Sequence, residues 1–271
     1  MKRIIAINSN SYHGFSLEDA VRGIADAGFH YIELTCTKGW TEHVYPDHPM
    51  RRLLRVQDML ADAGLIPFAM SGHTNLTDPE RMQDFRDNIR LAGFFGCRYI
   101  VSSIGEAHLK DRHAAGADET ARCIARFLPD LEALDLMLVL ETHGKEHGTG
   151  RALADIVNKI GSERIKINYD TANVIFYGGE DPVRDLAACV GDVAYLHVKD
   201  KAGAPDAWDF PAPGKGYVDF DGIFDVLRRA GNDSPFSVEI EFTPEGPGGL
   251  EQVHQAVRDS AAFFRSRGFT L

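Results

Sequence analysis

The sequence predicts a single-domain (β/α)8 TIM barrel over residues 1–271, on three observations. Apolar strand-like runs alternate with amphipathic helical runs through eight units joined by short connections, the pattern of a parallel α/β sheet. The length of 271 residues suits one α/β barrel, which typically runs to about 250. Four successive runs in the second half each end on a potential metal ligand, and only ring closure brings their carboxyl ends to one mouth. An open sheet would instead place its site at a single switch point.

Arg3 to Ile7 is a short first strand opening on the polar Asn8-Ser9-Asn10. Ser16 is the expected N-cap of an amphipathic helix through Ala27, closed by Gly28. Tyr31 to Leu34 is the second strand and carries Glu33. A loop with Trp40, His43, Tyr45 and His48 follows, then a helix from Pro49 to Ala63 capped by Gly64, and the strand Leu65 to Met70. Asp78-Pro79 starts a helix to Phe95, Gly96 stops it, and Arg98 to Ser102 is the fourth strand. A charged helix over Gly116 to Leu134 leads to the fifth strand, Met137 to Glu141. Helices over Ala152 to Ile160, Pro182 to Val190 and Phe220 to Ala230 separate the strands Ile165 to Asp170, Val193 to His197 and Phe236 to Glu241. A helix over Leu250 to Arg267 ends the chain. The longest irregular segment, Lys201 to Val218, is rich in Gly and Pro and follows the His197 strand, which puts it over the barrel mouth.

Composition narrows the partners. The chain has 40 acidic against 29 basic side chains and a formal net charge of -11, which repels nucleic acid and anionic membrane surfaces at long range. No stretch reaches the roughly 20 apolar residues of a membrane helix, and the apolar run at the N-terminus stops at Asn8, shorter than a signal-peptide core. Four cysteines, Cys36, Cys97, Cys123 and Cys189, are scattered without a C-x-x-C pair, as expected for reduced thiols in a cytoplasmic protein. The expected partner is a small carbohydrate, with no nucleic acid and no membrane; a homo-oligomer is left open.

The strand ends supply the chemistry. Glu141, Asp170, His197 and a last acid, Glu239 or Glu241, offer mostly oxygen with one imidazole nitrogen. Such a set suits one divalent ion, Mn²⁺ first, with Mg²⁺, Co²⁺ or Zn²⁺ also compatible, and argues against a thiolate site.

The segments L-E-T-H-G at Leu140, Y-D-T-A-N at Tyr169, H-V-K-D at His197 and P-G-K-G-Y-V-D-F at Pro213 resemble those of the xylose isomerase-like TIM-barrel superfamily. That group includes sugar isomerases and epimerases, inosose and dehydroshikimate dehydratases, and endonuclease IV nucleases. The resemblance covers essentially the whole chain, with its specific motifs from Glu141 onward. It implies one metal held by Glu141, Asp170, His197 and an acid of the eighth strand. Aligning the apolar run favours Glu239; Glu241 lies two residues on, on the same face. By the same resemblance, Glu141 and Glu239 are the expected catalytic pair, one carboxylate removing an α-proton and the other returning it.

The chain departs from the epimerase pattern at three places. His147 stands where those enzymes carry a second Glu, Asn173 where they carry a His, and Gly203 where they carry an Arg. These departures count against a plain ketohexose 3-epimerase and leave the metal residues intact. The remaining polar complement, expected to bind substrate, is His143, Asn173 and Lys199, with His73 and His108 in the loops after the third and fourth strands. Lys199 would hold a phosphate, a carboxylate or a developing oxyanion, or else pair with a neighbouring acid.

The leading expectation is therefore a metal-dependent isomerase or epimerase of a sugar or sugar phosphate. A lyase sharing the enolising step is the alternative, because His143 could protonate a leaving hydroxyl on a keto-sugar, keto-inositol or dehydroshikimate-like substrate. An endonuclease IV-like nuclease ranks lower, since Asn173 replaces a required histidine, and so does a non-catalytic sugar-binding barrel.

Overall fold

The computed structural model describes residues 3–105 and 116–271; His108, expected near the site, lies outside them. The elements are β1 Ile5–Asn8, α1 Leu17–Asp26, β2 Tyr31–Thr37, β3 Thr41–Glu42, α2 Met50–Asp62, β4 Ile66–Ser71, α3 Met82–Phe94 and β5 Tyr99–Ser102. Then come α4 Ala117–Ala125, α5 Leu128–Ala133, β6 Met137–Glu141, α6 Gly150–Ile160, β7 Ile165–Asp170, α7 Asn173–Phe176, α8 Pro182–Cys189, β8 Val193–Val198, α9 Phe220–Ala230, β9 Phe236–Val238 and α10 Leu250–Ser266.

Parallel pairing runs β1-β2-β4-β5-β6-β7-β8-β9, and β9 pairs back onto β1, so eight strands close a barrel. The short β3 adds only an antiparallel tab on the end of β2. Ser16, the expected N-cap, accepts a backbone N–H from the first turn of its helix, and Thr149, Asp181 and Asp219 do the same for theirs. Among the described residues no helix is long and apolar enough to cross a membrane.

Strand parity divides the core. Ile5, Ile7, Ile32, Leu34, Leu138, Leu140, Ile167, Leu196 and Val238 face outward into the large apolar layer under the helices. Residues of the other parity, including Ala69, Tyr99, Val101, Val139 and Tyr195, form a separate small cluster within the ring. That cluster plugs one end; toward the carboxyl end the inward side chains turn polar, with Asn8, Glu33, Asn168, Ser237 and His197 all buried. Register shifts at Ile32/Glu33 and Ile167/Asn168 lie just before two of the buried acids. Such bulges commonly re-aim side chains beside a site.

Beyond the unexpected β3 and α7 and a β2 that runs on to Thr37, three elements differ from the sequence expectation. The helix expected over Gly116 to Leu134 is two, because Pro129 lacks an N–H and its ring would collide with the carbonyl of Ala125. The helix expected from Asp78 begins at Met82, with Asp78 instead holding a turn through its bond from the Glu80 N–H. The last strand stops at Val238: Ile240 N–H turns to Ser11 Oγ at 3.1 Å and Glu241 N–H to the Phe210 carbonyl at 3.2 Å.

Candidate metal centre

Glu141 ends β6, Asp170 ends β7, His197 stands one residue from the end of β8, and Glu239 follows β9. One ligand atom from each lies within 4.8 Å of the others, and all four residues are buried. His197 Nδ1 faces Glu239 Oε2 at 3.5 Å, Glu141 Oε1 at 3.6 Å and Asp170 Oδ2 at 3.8 Å. These separations are long for hydrogen bonds and close to the roughly 3–3.5 Å expected between donors each about 2.1 Å from a shared cation.

Each side chain is held by further hydrogen bonds. His197 Nε2–H donates to Glu33, at 3.1 Å from Oε1 and 3.2 Å from Oε2, and the same carboxylate accepts from Tyr195 Oη at 3.0 Å and Asn8 Nδ2 at 3.2 Å. This fixes the imidazole with Nδ1 toward the centre. Asp170 Oδ1 accepts the backbone N–H groups of Ala172 and Asn173 at 2.9 and 2.8 Å, leaving Oδ2 inward. Glu141 Oε1 accepts from Asn173 Nδ2 at 2.9 Å. Glu239 Oε1 accepts from Asn8 and Asn10, both at 3.1 Å.

Consequently Glu141 Oε2, Asp170 Oδ2 and His197 Nδ1 are buried without a hydrogen-bond partner. Orphaned buried donors and acceptors are rare and costly; Asp170 Oδ2 and His197 Nδ1, 3.8 Å apart beside Glu141 Oε1 and Glu239 Oε2, fit a bound ion, while Glu141 Oε2 lies toward His73. Three oxygen donors and one imidazole suit one divalent cation.

Charge in the site points the same way. Glu141, Asp170, Glu239 and Glu241 gather around Lys199, which lies 3.2 Å from Glu239 Oε2, 3.8 Å from Asp170 Oδ2 and in direct contact with Glu241. Burial, opposed by Lys199 and reinforced by Glu141 and Glu239, pushes Asp170 up to about 8. Burial also works to raise Glu239, but Lys199 and His197 outweigh it and bring it down to about 2. Burial likewise opposes ionised Glu141, while His73 and His197 hold it well below its ordinary range. For His197, burial is outweighed by Glu33 and Glu239, and for Lys199 by Glu239 and Glu241, so both are pushed well up.

The centre floors a cavity of ≈ 460 Å³, counted to its open solvent side, at the carboxyl ends of the strands. His73, His143, Asn173 and Lys199 all line it, as do Glu141, Glu239 and Glu241. His73 Nδ1 accepts Ser103 N–H at 3.0 Å, so a neutral ring carries its proton on Nε2, which stands 3.1 Å from Glu141 Oε2, outside hydrogen-bond alignment. His143 packs beside Tyr177 with ring centroids 4.7 Å apart and planes tilted by 48°. Glu239, and not Glu241, contributes to the four-residue group; Glu241 is drawn to Lys199 and to Asn10 Nδ2 at 3.2 Å.

Sequence reasoning gave Glu33, Asn8 and Asn10 no role in the site, and it passed over the motif threonines. Thr142 Oγ1 accepts Asp170 N–H at 2.9 Å, and Thr171 Oγ1 accepts Lys199 N–H at 3.1 Å while donating to the Lys199 carbonyl at 2.6 Å. They tie β6 to β7 and β7 to β8 where the ladder ends, which keeps the ligand-bearing residues in register.

A model of the xylose isomerase-like TIM barrel matches residues 21–267. An inosose dehydratase of Geobacillus thermodenitrificans (strain NG80-2) is 28% identical over 136 residues, a match covering 43% of this chain and 45% of that protein, so less than half of its length. An L-ribulose 3-epimerase structure superposes with a TM-score of 0.76 at 20% identity, over 98% of this chain and 94% of that one. The IOLI protein, solved with a bound zinc atom, gives a TM-score of 0.78 at 18% identity, over 98% and 99%. At these identities the structural matches speak for the fold.

Proposed function

The chain belongs to the xylose isomerase-like TIM-barrel family, and from that premise we propose that it is a divalent-metal-dependent isomerase or epimerase of a small sugar or sugar derivative. The observation that carries the reading is the pair of orphaned atoms Asp170 Oδ2 and His197 Nδ1, facing Glu141 and Glu239 on the floor of a cavity lined by His73, His143 and Lys199. Glu141, Asp170, His197 and Glu239 would hold the cation, for which Mn²⁺ is our first choice. When bound, it would polarise a substrate carbonyl and offset the negative charge that grows on its oxygen.

The chain's own groups then divide the work. Glu141 takes the α-proton at Oε2, the oxygen without a hydrogen-bond partner, and the His73 Nε2–H beside it steadies the ionised carboxylate. Glu239 lies across β7 and β8 from Glu141, on the side from which a proton would return for epimerisation. Lys199, close to Glu239, stabilises negative charge on that side. The apolar layers around the barrel keep the centre away from bulk water. Four free cysteines fit work in the reducing cytoplasm.

Elimination of water after the same proton abstraction is the second reading. His143 and Lys199 both line the cavity, where either could meet a leaving hydroxyl, and the half-length match to a dehydratase favours it.

The test is proton exchange. Protein reconstituted with Mn²⁺ and given ketoses, keto-inositols and their phosphates in D₂O should incorporate deuterium at the α-carbon, read by NMR, and Glu141→Gln should not. Epimer, isomer or dehydrated ketone in the product decides between the two readings. Tight metal binding with no exchange on any of these compounds would sink both.

A further inference from the structure

Above the cavity the mouth widens into a vestibule of ≈ 1230 Å³, counted to its open solvent side. It shares Asn10, Trp40, Tyr177, Trp208 and Glu241 with the cavity below, and its outer wall includes Ile240, Phe242, Pro244 and Pro247. The chain has two tryptophans, and both stand at this junction.

Each tryptophan is held as a flat wall. Trp40 stacks on His13 with centroids 4.1 Å apart and planes 12° from parallel, and its Nε1–H donates to Asn10 Oδ1 at 3.0 Å. Trp208 meets the edges of Phe176 and Phe210 at 5.7 and 5.1 Å. Phe242 lies at φ 57°, a left-handed backbone that is strained for a bulky residue. A two-way bridge to Phe210 imposes it: Phe210 N–H donates to the Phe242 carbonyl at 2.9 Å, and Phe242 N–H to the Phe210 carbonyl at 3.1 Å. Strain of this kind persists where the surroundings over-determine it, and it clusters at ligand sites.

The charge at the junction selects what can enter. Glu241 lines both spaces, and the Lys199 ammonium is already placed between Glu239 and Glu241. A phosphate or carboxylate would meet the Glu241 carboxylate on the way in. A neutral ring would instead cover aromatic and proline surface and gain its burial.

We infer that the vestibule is a subsite for an uncharged ring, glycosyl or aryl, carried by the reacting sugar, so that the substrate class is a keto-glycoside rather than a free monosaccharide or a sugar phosphate. This rests on the enolising reading above only for what happens to the inner sugar. The subsite itself stands on the geometry of Trp40, Trp208 and Phe242.

The two tryptophans make the subsite its own reporter. Mn²⁺-loaded protein is titrated with methyl β-D-glucopyranoside, phenyl β-D-glucopyranoside, cellobiose and glucose 6-phosphate while tryptophan emission is followed. A ring-bearing probe should bind at least about tenfold more tightly than the methyl glucoside. An advantage for the phenyl glucoside alone makes the outer ring aryl, for cellobiose alone glycosyl, and for both any flat neutral ring. In Trp208→Ala, with Mn²⁺ affinity measured alongside to verify the centre, that advantage should vanish. No advantage for either ring-bearing probe, tighter binding of glucose 6-phosphate, or an advantage that survives Trp208→Ala overturns the inference. Deuterium exchange on simple ketoses without ring binding would fail the subsite alone; ring binding without exchange on any ketone would fail the catalytic reading alone.

Discussion

Glu33 and His197 meet inside the barrel, Nε2 of the imidazole 3.1 Å from one carboxylate oxygen and 3.2 Å from the other, with neither residue exposed to solvent. They come from strands on different sides of the ring, β2 and β8, so closure of the sheet is itself what creates the pair. The consequence is an imidazole whose free nitrogen can point only at Glu141, Asp170 and Glu239. Glu33→Gln keeps an acceptor but removes the charge that makes the ring a good donor. Its Mn²⁺ affinity should fall about 10- to 100-fold, read by chelator competition, with the far-ultraviolet circular dichroism unchanged. Unaltered affinity would show that His197 is oriented without Glu33.

How much of this was readable in sequence follows from where the signals sit. Glu141, Asp170 and His197 each end or nearly end an apolar run, and a polar group there stands out because its own strand announces it. Glu33 sits inside a strand, where one polar residue among apolar ones has no local signature; its role exists only across the ring. Asn8 and Asn10 read as a polar turn, yet their amides hold Glu33, Glu239 and Glu241. Which of Glu239 and Glu241 faces the other three depends on the path of the chain past the end of β9, where Ile240 and Glu241 N–H turn to Ser11 and Phe210 from distant segments.

Cation binding should stabilise the fold. An ion that binds only the folded centre adds about 2.7 kcal/mol at a concentration 100 times its Kd. Thermal melts of chelator-treated protein should therefore rise by several degrees on adding Mn²⁺, and the rise should be lost in Asp170→Asn. Equal melting with and without metal would remove the cation from the centre.

The metal-free protein should also lose stability as pH rises. Burial places Asp170 at about 8, above its ordinary value, so its contribution is fully present below that ordinary value and is lost as pH climbs through about 8. His197 and His73, also raised, act in the same direction. Glu239, lowered to about 2, loses its contribution only as pH falls toward that value, well outside the range tested. Melting temperature without metal should fall between roughly pH 6 and 9, and saturating Mn²⁺ should flatten the fall, because the ion displaces the protons these groups hold. Calorimetry in two buffers of different ionisation enthalpy should register proton release on Mn²⁺ uptake at pH 7. Metal-free melting temperatures that increase over this range would contradict the assignment.

His73 is the side chain to test for support of the ionised Glu141 base. Its Nδ1 is occupied by the Ser103 N–H, so only Nε2 faces the cavity. His73→Gln retains polarity and size without a titrating ring. The turnover number should drop about 10²-fold or more with little change in Mn²⁺ affinity. A matching loss of metal affinity would instead make His73 a support of the centre.

The long segment after β8 is tied down by one carboxylate. Asp200 accepts the backbone N–H groups of Gly214 and Gly216, both at 2.8 Å, Lys201 at 2.8 Å and Val218 at 3.1 Å. Gly216 is needed for this approach, since a Cβ there would stand 2.2 Å from the Lys201 carbonyl and 2.5 Å from Asp200 Oδ1. The same segment carries Trp208 and Phe210 to the mouth, so the clamp reaches the site through them. Asp200→Ala removes the acceptor of four bonds, each worth about 1.5–3 kcal/mol when charged, and leaves four N–H groups to find water. Segment 201–218 should then open: limited proteolysis should cut it at least about tenfold faster than in the parent protein, substrate KM should rise, and Mn²⁺ affinity should hold because none of the four candidate ligands depends on Asp200. Gly216→Ala, which leaves the carboxylate in place but forces the backbone away from it, should reproduce both effects. Proteolysis unchanged in both variants would mean that Phe210 and its bridge to Phe242, and not Asp200, hold the segment over the mouth.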